Sequence, residues 1–383
     1  MNKPGVYIHI PFCKKKCSYC DFYSMPEPDT DIIRDYCNSV VGEIDYEGKK
    51  HDGKIIYDTL YIGGGDPASI GNRLVRIIEA ASIKFNLGKN AEITVESNPE
   101  SMTFELSREL KKAGVNRISF GAQSADDNEL AALGRTHSAR DVQEAVYTAK
   151  SAGIRNISID LILGIPYQTT KSLDCTLNFA KKLNIPHISA YILKLEKETA
   201  LYANGIAKHC PDENAVSDIY LYTVNKLEEF GYAQYEISNF SKCSNTGQNF
   251  RSLHNLKYWR LSPYTGIGSA AHSFDGKARY SHSRNIKSYI KDPVKDKKCY
   301  DKNAGGLDEY ILLSLRLADG LDCAKVQKIY GTDKRQLLSN AEDIIKSDHN
   351  GLLRINGDKI QLTPRGFLLS NMIINKMLEC VKV

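Results

Sequence analysis

Residues 5–22 read GVYIHIPFCKKKCSYCDF, an apolar run rich in Val, Ile and Tyr that leads directly into three closely spaced cysteines. Five more runs of this kind follow, and a helix-like amphipathic stretch comes after each of them. They are IIYDTLYIGGG, EITVESNP, NRISFGAQS, NISIDLILGIP and HISAYILKL. Six strand-helix repeats up to about residue 200 predict an α/β fold, a partial (βα)6 TIM-like barrel with a parallel sheet. Because the runs are apolar rather than strictly alternating, we expect both faces of the strands to be covered.

The chain after the sixth repeat changes character. A helix-like stretch, DENAVSDIYLYTVNKLEEFGY, leads into a polar and aromatic segment that is expected to form an appended cap. The charged stretch at residues 291–303 is interpreted as a solvent-exposed linker. Beyond it, helical runs and two short strand candidates, GLLRI and KIQLT, predict a helical, winged-helix-like C-terminal domain. The predicted division is residues 1–205 for the barrel, 206–300 for the cap and 301–383 for the C-terminal domain.

The composition excludes several functional classes. Apolar residues make up 42% of the 383 residues and the net charge is only +5, so neither intrinsic disorder nor broad binding of polyanions is expected. Lys and Arg of the winged-helix-like part are interspersed with Asp and Glu, which argues against a nucleic-acid partner. The first apolar run is short and is broken by His9 and Pro11, so we expect no secretory signal and no integral membrane segment. Ten cysteines without a signal peptide predict a reducing, cytoplasmic location.

The cysteine cluster is the strongest chemical signal. Cys13, Cys17 and Cys20 have the spacing C-x3-C-x2-C directly after the first strand. A structural zinc site normally needs four protein ligands, and the nearest candidates, His9 and Asp21, do not form a second ligand pair. A 4Fe-4S cube can be held by three thiolates, which leaves one iron open. A poor zinc site or simply packed cysteines are the alternatives. The other cysteines show no motif spacing and are interpreted as ordinary thiols: Cys37, Cys175, Cys210, Cys243, Cys299, Cys323 and Cys380.

The string IHIPFCKKKCSYCDF resembles the radical S-adenosylmethionine (SAM) superfamily, and YIHIPFC followed by CDF resembles its HemN/HemW branch, over nearly the whole chain. The resemblance implies that Cys13, Cys17 and Cys20 bind a 4Fe-4S cluster. It also implies that the amino and carboxylate groups of SAM chelate the open iron, and that one electron from the cluster can cleave SAM to methionine and a 5'-deoxyadenosyl radical. In such proteins the cofactor supplies the difficult chemistry, while the protein orients it and excludes water.

The same resemblance marks further cofactor-binding positions. Gly63, Gly64 and Gly65 stand where the family has GGGTP along the methionyl end of SAM, and Asp66 replaces the usual Thr. On residues alone, a glycine triplet is equally well explained as a tight turn. An Arg can pair bidentately with a carboxylate, and acidic or amide groups accept from an ammonium or from ribose hydroxyls. The expected cofactor-binding residues are Tyr7, Tyr19, Gly64, Gly65, Asp66, Glu96, Gln123, Arg135 and Asp160.

Two features favour the HemW side of the branch. Relatives that oxidise coproporphyrinogen carry a further cysteine two residues after the third ligand, where this chain has Phe22, and they have a longer N-terminal segment. The string HNLKYW, with His254 and the single tryptophan Trp259, resembles HemW-like proteins, as does GIGSAAHS. Since imidazole is a standard axial ligand of haem iron, His254 is a candidate haem ligand. A hydrogen-bonded structural histidine is the alternative, and the role of His272 is left undecided.

The resemblance therefore implies a haem chaperone that binds a 4Fe-4S cluster, SAM and haem, and that passes haem to haem-accepting proteins. A radical SAM enzyme is the rival, either an oxygen-independent coproporphyrinogen III oxidase or a radical methyltransferase, because the cofactor-binding residues look complete. A zinc-stabilised winged-helix regulator is a third, weaker interpretation.

Overall fold

A computed structural model describes residues 3–51, 53–242, 247–348 and 350–379. The strands are β1 Gly5–Ile10, β2 Phe12–Cys13, β3 Met25–Pro26, β4 Tyr57–Gly64, β5 Leu87–Ser97, β6 Arg117–Gln123, β7 Asn156–Leu163, β8 His187–Ile192, β9 Tyr232–Gln234, β10 Asn239–Lys242, β11 Tyr264–Ile267, β12 His272–Phe274, β13 Arg279–Ser281, β14 Lys298–Asp301, β15 Leu321–Asp322, β16 Leu353–Asn356 and β17 Lys359–Leu362.

The α-helices are α1 Thr30–His51, α2 Asn72–Lys84, α3 Phe104–Lys112, α4 Asp127–Ala132, α5 Ala139–Ser151, α6 Thr170–Leu183, α7 Ala200–Ala203, α8 Glu213–Glu229, α9 Leu253–Trp259, α10 Ile286–Lys291, α11 Pro293–Asp296, α12 Leu307–Ser314, α13 Cys323–Tyr330, α14 Lys334–Ser347, α15 Pro364–Leu368 and α16 Ser370–Glu379. Short 3-10 helices span Pro67–Ile70, Pro99–Ser101 and Ile206–His209. No described helix is both long enough and apolar enough to cross a lipid bilayer.

The predicted parallel sheet is confirmed. In the described residues a 12-stranded sheet has the order β14-β13-β12-β11-β1-β4-β5-β6-β7-β8-β10-β9. The six predicted repeats form β1 and β4 to β8, which pair in parallel. A seventh parallel strand, β11, pairs with β1 and was not predicted. It has only four residues and contains Gly266, so its strand signal is weak.

Each parallel strand has one apolar and one polar face. In β6, Ile118 and Phe120 belong to the hydrophobic core, whereas the alternate residues Arg117 and Ser119 are polar and also buried. The same alternation in β5 places Glu96 on the polar side, since Ile93 and Val95 belong to the core. Both faces are buried, as expected, but the inner face is polar rather than apolar. The barrel interior therefore presents hydrogen-bonding groups toward its open end.

Strands of the predicted cap extend the sheet at both edges. β9 and β10 continue from β8, while β12 to β14 continue from β11, all by antiparallel pairing. The division at residues 205 and 300 stays a prediction, because one sheet includes strands from both sides of the first boundary. The linker prediction for residues 291–303 is wrong, since this stretch forms α11 and the edge strand β14. Its Asp296 is buried and accepts hydrogen bonds from Ser283.

The C-terminal part contains the expected helices and a small three-stranded sheet. Its strand order is β15-β17-β16, and β16 and β17 correspond to the candidates GLLRI and KIQLT. The closing helix is divided into α15 and α16, with Leu369 as the capping residue between them. Buried residues of α13, α14 and α16, including Val326, Leu337 and Ile373, join the main hydrophobic core.

Candidate functional site

A cavity of about 410 Å³ opens at the carboxyl ends of the parallel strands. The cysteine loop between β2 and β3 forms one side, and the ends of β4 to β8 form the other. The predicted site residues on its wall are Cys13, Cys17, Tyr19, Cys20, Gly64, Gly65, Glu96, Gln123, Arg135 and Asp160. The fold thus gathers residues that are separated by up to about 150 positions into one concave site, as barrel topology predicts.

The cysteine loop is held by backbone hydrogen bonds on both sides. The amide of Ser18 donates to the carbonyl of Leu133 at 3.0 Å, and the amide of Glu27 donates to that of Cys13 at 3.0 Å. Burial raises the pKa of Cys13 to about 12, and burial also raises the pKa of Cys20. Both thiols are therefore protonated without a metal, and an iron cluster would have to displace their protons.

The donor set fits a cluster better than a single metal ion. Among the described residues, no group of three or more His, Cys, Asp or Glu side chains could hold one metal ion. A zinc ion needs its ligands about 2 Å from one common centre. A 4Fe-4S cube instead takes one thiolate on each of three irons, so its ligands must face one volume rather than one point. Cys13, Cys17 and Cys20 satisfy this requirement, since all three line the same cavity.

Arg135 brings an incompletely paired cation to the cavity wall. Its Nη1 donates to Asn98 Oδ1 at 2.7 Å, and its Nη2 donates to the hydroxyl of Tyr19 at 3.0 Å. Its Nε is buried and has no hydrogen-bond partner in the described structure. A buried, unpaired donor is costly, and a carboxylate is the natural partner for a guanidinium. Arg135 is therefore suited to hold an anionic group of a ligand.

Two half-buried carboxylates, those of Glu96 and Asp160, also line the cavity. Glu96 accepts from the hydroxyl of Tyr61 at 2.5 Å and from the amide of Gly64 at 3.1 Å. Asp160 accepts from the hydroxyl of Ser119 at 3.2 Å. Burial raises the pKa of both, and their mutual repulsion adds to the shift of Glu96. An ammonium group bound near them would offset this repulsion.

The glycine loop lets the backbone approach both the cysteine loop and the strand interior. Gly64 has φ +119°, and a Cβ placed there would lie 2.6 Å from the ring of His9. A Cβ on Gly65 would lie 2.9 Å from Cys13 Sγ and 2.6 Å from the carbonyl oxygen of Phe12. Neither position has room for a side chain, so the loop presents main-chain groups to the cavity.

Asp66 is not on the cavity wall, in contrast to its predicted role. Its side chain is buried and accepts from the amide of Asn98 at 3.1 Å and from the hydroxyl of Ser101 at 2.6 Å. Burial raises the pKa of Asp66 to about 6. Both carboxylate oxygens are already used, so this residue braces the turn after β5 instead of facing a ligand. Asp66 therefore does not line the cavity, although its charge is close enough to Cys13 to contribute to the raised pKa of that thiol.

Tyr7 and His254 are also away from the wall. The Tyr7 hydroxyl is hydrogen-bonded to His9 Nδ1 at 3.0 Å, beneath the glycine loop. His254 is fully buried, with Nδ1 hydrogen-bonded to Thr59 at 2.8 Å and Nε2 to Tyr258 at 2.9 Å. Burial lowers its pKa to about 3. As placed here, neither nitrogen is free for iron, so the geometry corresponds to the structural-histidine alternative.

Several cavity residues were missed by the sequence analysis. Asn98, Ser119 and Tyr191 line the cavity. Their signal was the alternation of polar residues within apolar strands, as in His187, Ser189 and Tyr191 of β8. Gln123, which was predicted, has a φ of +66°, a strained backbone conformation at the end of β6 that the sequence does not reveal. The remaining described cysteines are free thiols, while Cys243 and Cys380 lie outside the described residues.

Comparisons with known proteins identify the family of this chain. The profile described as Radical SAM superfamily matches residues 7–180, and that of the HemN C-terminal domain matches residues 307–369. The chain is 33% identical to Heme chaperone HemW of Bacillus subtilis (strain 168), over 98% of this chain and 99% of that protein. Its identity to Heme chaperone HemW of Lactococcus lactis is 31%, over 99% and 98%. The chain belongs to the HemW family of radical SAM proteins.

A solved structure shows the same architecture as this HemW family member. Coproporphyrinogen III oxidase (HemN) from Escherichia coli, a radical SAM enzyme, superimposes with a TM-score of 0.81 over 99% of this chain and 90% of that one. At 21% sequence identity, this likeness establishes the fold only. Membership of the superfamily implies a 4Fe-4S cluster and SAM, and the cysteines, Arg135 and the two carboxylates fit those groups.

Proposed function

We propose that this chain is a haem chaperone: it binds a 4Fe-4S cluster, SAM and haem, and it transfers haem to haem-accepting proteins. The observation that carries this proposal is the full-length similarity to proteins named Heme chaperone HemW. The presence of Phe22 in place of a fourth cysteine near the loop supports the same choice. A cytoplasmic location belongs to the proposal and agrees with the free cysteines.

In this proposal each part of the cavity has a defined role. Cys13, Cys17 and Cys20 hold the cluster, which when reduced supplies single electrons. Arg135 pairs with the methionyl carboxylate of SAM through its unpaired Nε. Glu96 and Asp160, both half-buried on the cavity wall, balance the methionyl ammonium or accept from ribose hydroxyls.

The remaining wall residues orient the ligand rather than react with it. Tyr19 fixes the guanidinium of Arg135 through its hydroxyl, and Gln123 offers an amide near the same group. Gly64 and Gly65 provide the close main-chain approach. Tyr7 and Asp66 support the glycine loop and the turn after β5 from behind. Because the cavity is walled by these groups, a bound cofactor would be largely screened from water.

Haem ligation by His254 remains a prediction that requires a rearrangement. The ring would have to release Thr59 or Tyr258 before a nitrogen could reach iron. Leaving a buried partner unpaired costs about 1–3 kcal/mol, which iron coordination would have to offset. The proposal of a haem chaperone does not depend on this particular ligand.

The proposal is tested by anaerobic reconstitution followed by two assays on one sample. Stoichiometric haem binding, and movement of that haem to a haem-free haemoprotein, are the expected results. Conversion of coproporphyrinogen III without stable haem binding would instead favour the radical SAM oxidase. Methylation of a substrate at the expense of SAM would favour the methyltransferase.

A further inference from the structure

The histidines whose side chains are described differ in how their ring nitrogens are used. The buried ones have both ring nitrogens within reach of a polar group, and the exposed His272 has one ring nitrogen bonded to Tyr300; the buried ones are His9, His137, His187, His254 and His282. His209 is different, because it is exposed and neither of its ring nitrogens contacts a described polar group. An axial ligand of haem iron needs an accessible nitrogen lone pair, and His209 has one without breaking any bond.

The ring of His209 is nevertheless held in place. It stacks on the ring of Tyr167 with the centroids 4.6 Å apart and the planes inclined by 26°. The backbone is fixed at the same point, since the Tyr167 amide donates to the His209 carbonyl at 3.0 Å. Tyr167 adopts φ +66° and is 53% exposed, which is unfavourable for a large aromatic residue with no binding role. This pair presents an oriented imidazole to solvent.

The pair lies at the open end of the barrel. Tyr167 follows the carboxyl end of β7, and the nearby Ile165 belongs to a small buried cluster against which Tyr19 of the cysteine loop packs. The segment that leads to His209 is fastened to the same loop, because the amide of Leu201 donates to the carbonyl of Ser18 at 2.7 Å. His209 therefore lies on a segment that is attached to the cysteine loop, and it is not among the residues that line the cavity.

The opening of the cavity carries apolar and basic side chains, which suit a porphyrin. Phe22, Tyr191 and Ile192 line the cavity and are also 70%, 41% and 39% exposed, so they present apolar surface at its opening. Lys15 and Lys16 line the same opening without a described ion pair. Haem is a planar apolar ligand with two carboxylates, so apolar side chains and lysines complement its ring and its propionates.

We propose that His209, oriented by its stack on Tyr167, is an axial ligand of haem bound across the mouth of the cavity. This inference rests on the proposed function as a haem chaperone and assigns it a ligand that is available without rearrangement. It places haem next to the cluster-binding loop, on the surface from which an acceptor protein could remove it.

The test is a haem titration of the full chain after anaerobic cluster reconstitution, with retained haem measured by the Soret band after gel filtration. His209→Ala should shift the Soret band and weaken haem binding by at least about tenfold, since loss of even an outer-shell partner of a metal ligand typically costs about 10–100-fold. Added imidazole should restore the band. Tyr167→Ala should weaken binding with a smaller spectral change, since the ligand remains but loses its orientation. Iron and sulfide content should equal that of the wild type, which shows that the variants are folded.

The matched control is His272→Ala, since His272 is the other exposed histidine in the described structure and is held by Tyr300 at 3.1 Å. It should leave haem binding unchanged. Wild-type haem binding that persists unaltered in His209→Ala overturns this inference alone, as does a spectrum that changes in His254→Ala or Cys210→Ala but not in His209→Ala. Failure of the wild type to bind haem overturns the proposed function and this inference together.

Discussion

If Cys13, Cys17 and Cys20 are the cluster ligands, replacing any one of them should prevent cluster binding. Since each thiolate would supply one of only three protein bonds to the cube, Cys17→Ala should prevent stable cluster loading. Cys299 is an exposed free thiol and gives the control, because Cys299→Ala should load normally. Iron and sulfide analysis after anaerobic reconstitution measures both variants. Equal loading of Cys17→Ala and the wild type would refute the ligand assignment.

Arg135 gives a second test at the level of one residue. Arg135→Ala removes a partly buried cation that could pair with the SAM carboxylate, which should cost about 2 kcal/mol, or roughly thirtyfold in affinity. Arg140 is 86% exposed and pairs with Glu144 on the surface of α5, so Arg140→Ala should bind SAM normally. Calorimetric titration with SAM measures both. Equal affinity in Arg135→Ala and Arg140→Ala would show that Arg135 has only a structural role.

Single residues also show where sequence reasoning succeeds and where it stops. Local spacing was enough for Cys13, Cys17 and Cys20, because all three lie on one loop. It was not enough for Asp66, since its partners Asn98 and Ser101 come from another turn of the chain. A motif indicates which positions are candidates for binding a cofactor, but tertiary packing decides the direction in which each side chain points.

At the scale of elements, Asp66 connects the turn after β4 to the turn after β5. Asp66→Ala would leave the amide of Asn98 and the hydroxyl of Ser101 without their acceptor, which should destabilise the fold by about 1–3 kcal/mol. Because Asn98 in turn accepts from Arg135, SAM binding should weaken as well. Ser101→Ala keeps the contact with Asn98 and should affect only stability. Denaturant unfolding and SAM titration separate these effects, and normal SAM affinity in Asp66→Ala would contradict the bracing role.

The strands show why most of the fold was predictable. Runs such as NISIDLIL carry the β-branched residues that a buried parallel strand requires, and all six predicted runs became strands. The polar inner face was missed because Ser158 and Asp160 interrupt β7 only singly. β11 was missed because its stability comes from pairing with β1 rather than from its own sequence.

The barrel edge and the C-terminal part of the molecule meet at Glu236. The amide of Ala318 donates to the carbonyl of the neighbouring Tyr235 at 3.0 Å, and the amide of Ile237 donates to the carbonyl of Arg316 at 3.0 Å. Glu236 is itself buried, and burial raises its pKa to about 7. This junction was not predicted, since its partners are about 80 residues apart in the sequence.

The raised pKa of Glu236 predicts a pH dependence of stability. The folded chain binds the proton of Glu236 more tightly than the unfolded chain does. The protonated carboxyl group therefore contributes to the free energy of unfolding fully below about pH 4.5, and this contribution is lost as pH rises through about 7. Glu236→Gln has nearly the same shape as the wild-type side chain but cannot ionise. The melting temperature of this variant should therefore exceed that of the wild type by more at pH 8 than at pH 5. Thermal unfolding of the cluster-free chain at both pH values measures this. A variant with the same pH profile as the wild type would contradict it.

For the whole molecule, we propose that a radical SAM barrel binds haem and does not oxidise a porphyrinogen. The most direct measurement is an anaerobic haem titration of the cluster-loaded chain, with coproporphyrinogen III turnover followed on the same sample. We expect one retained haem per chain and no decarboxylation of coproporphyrinogen III. Sustained coproporphyrinogen III conversion, with no haem retained after gel filtration, would contradict this proposal.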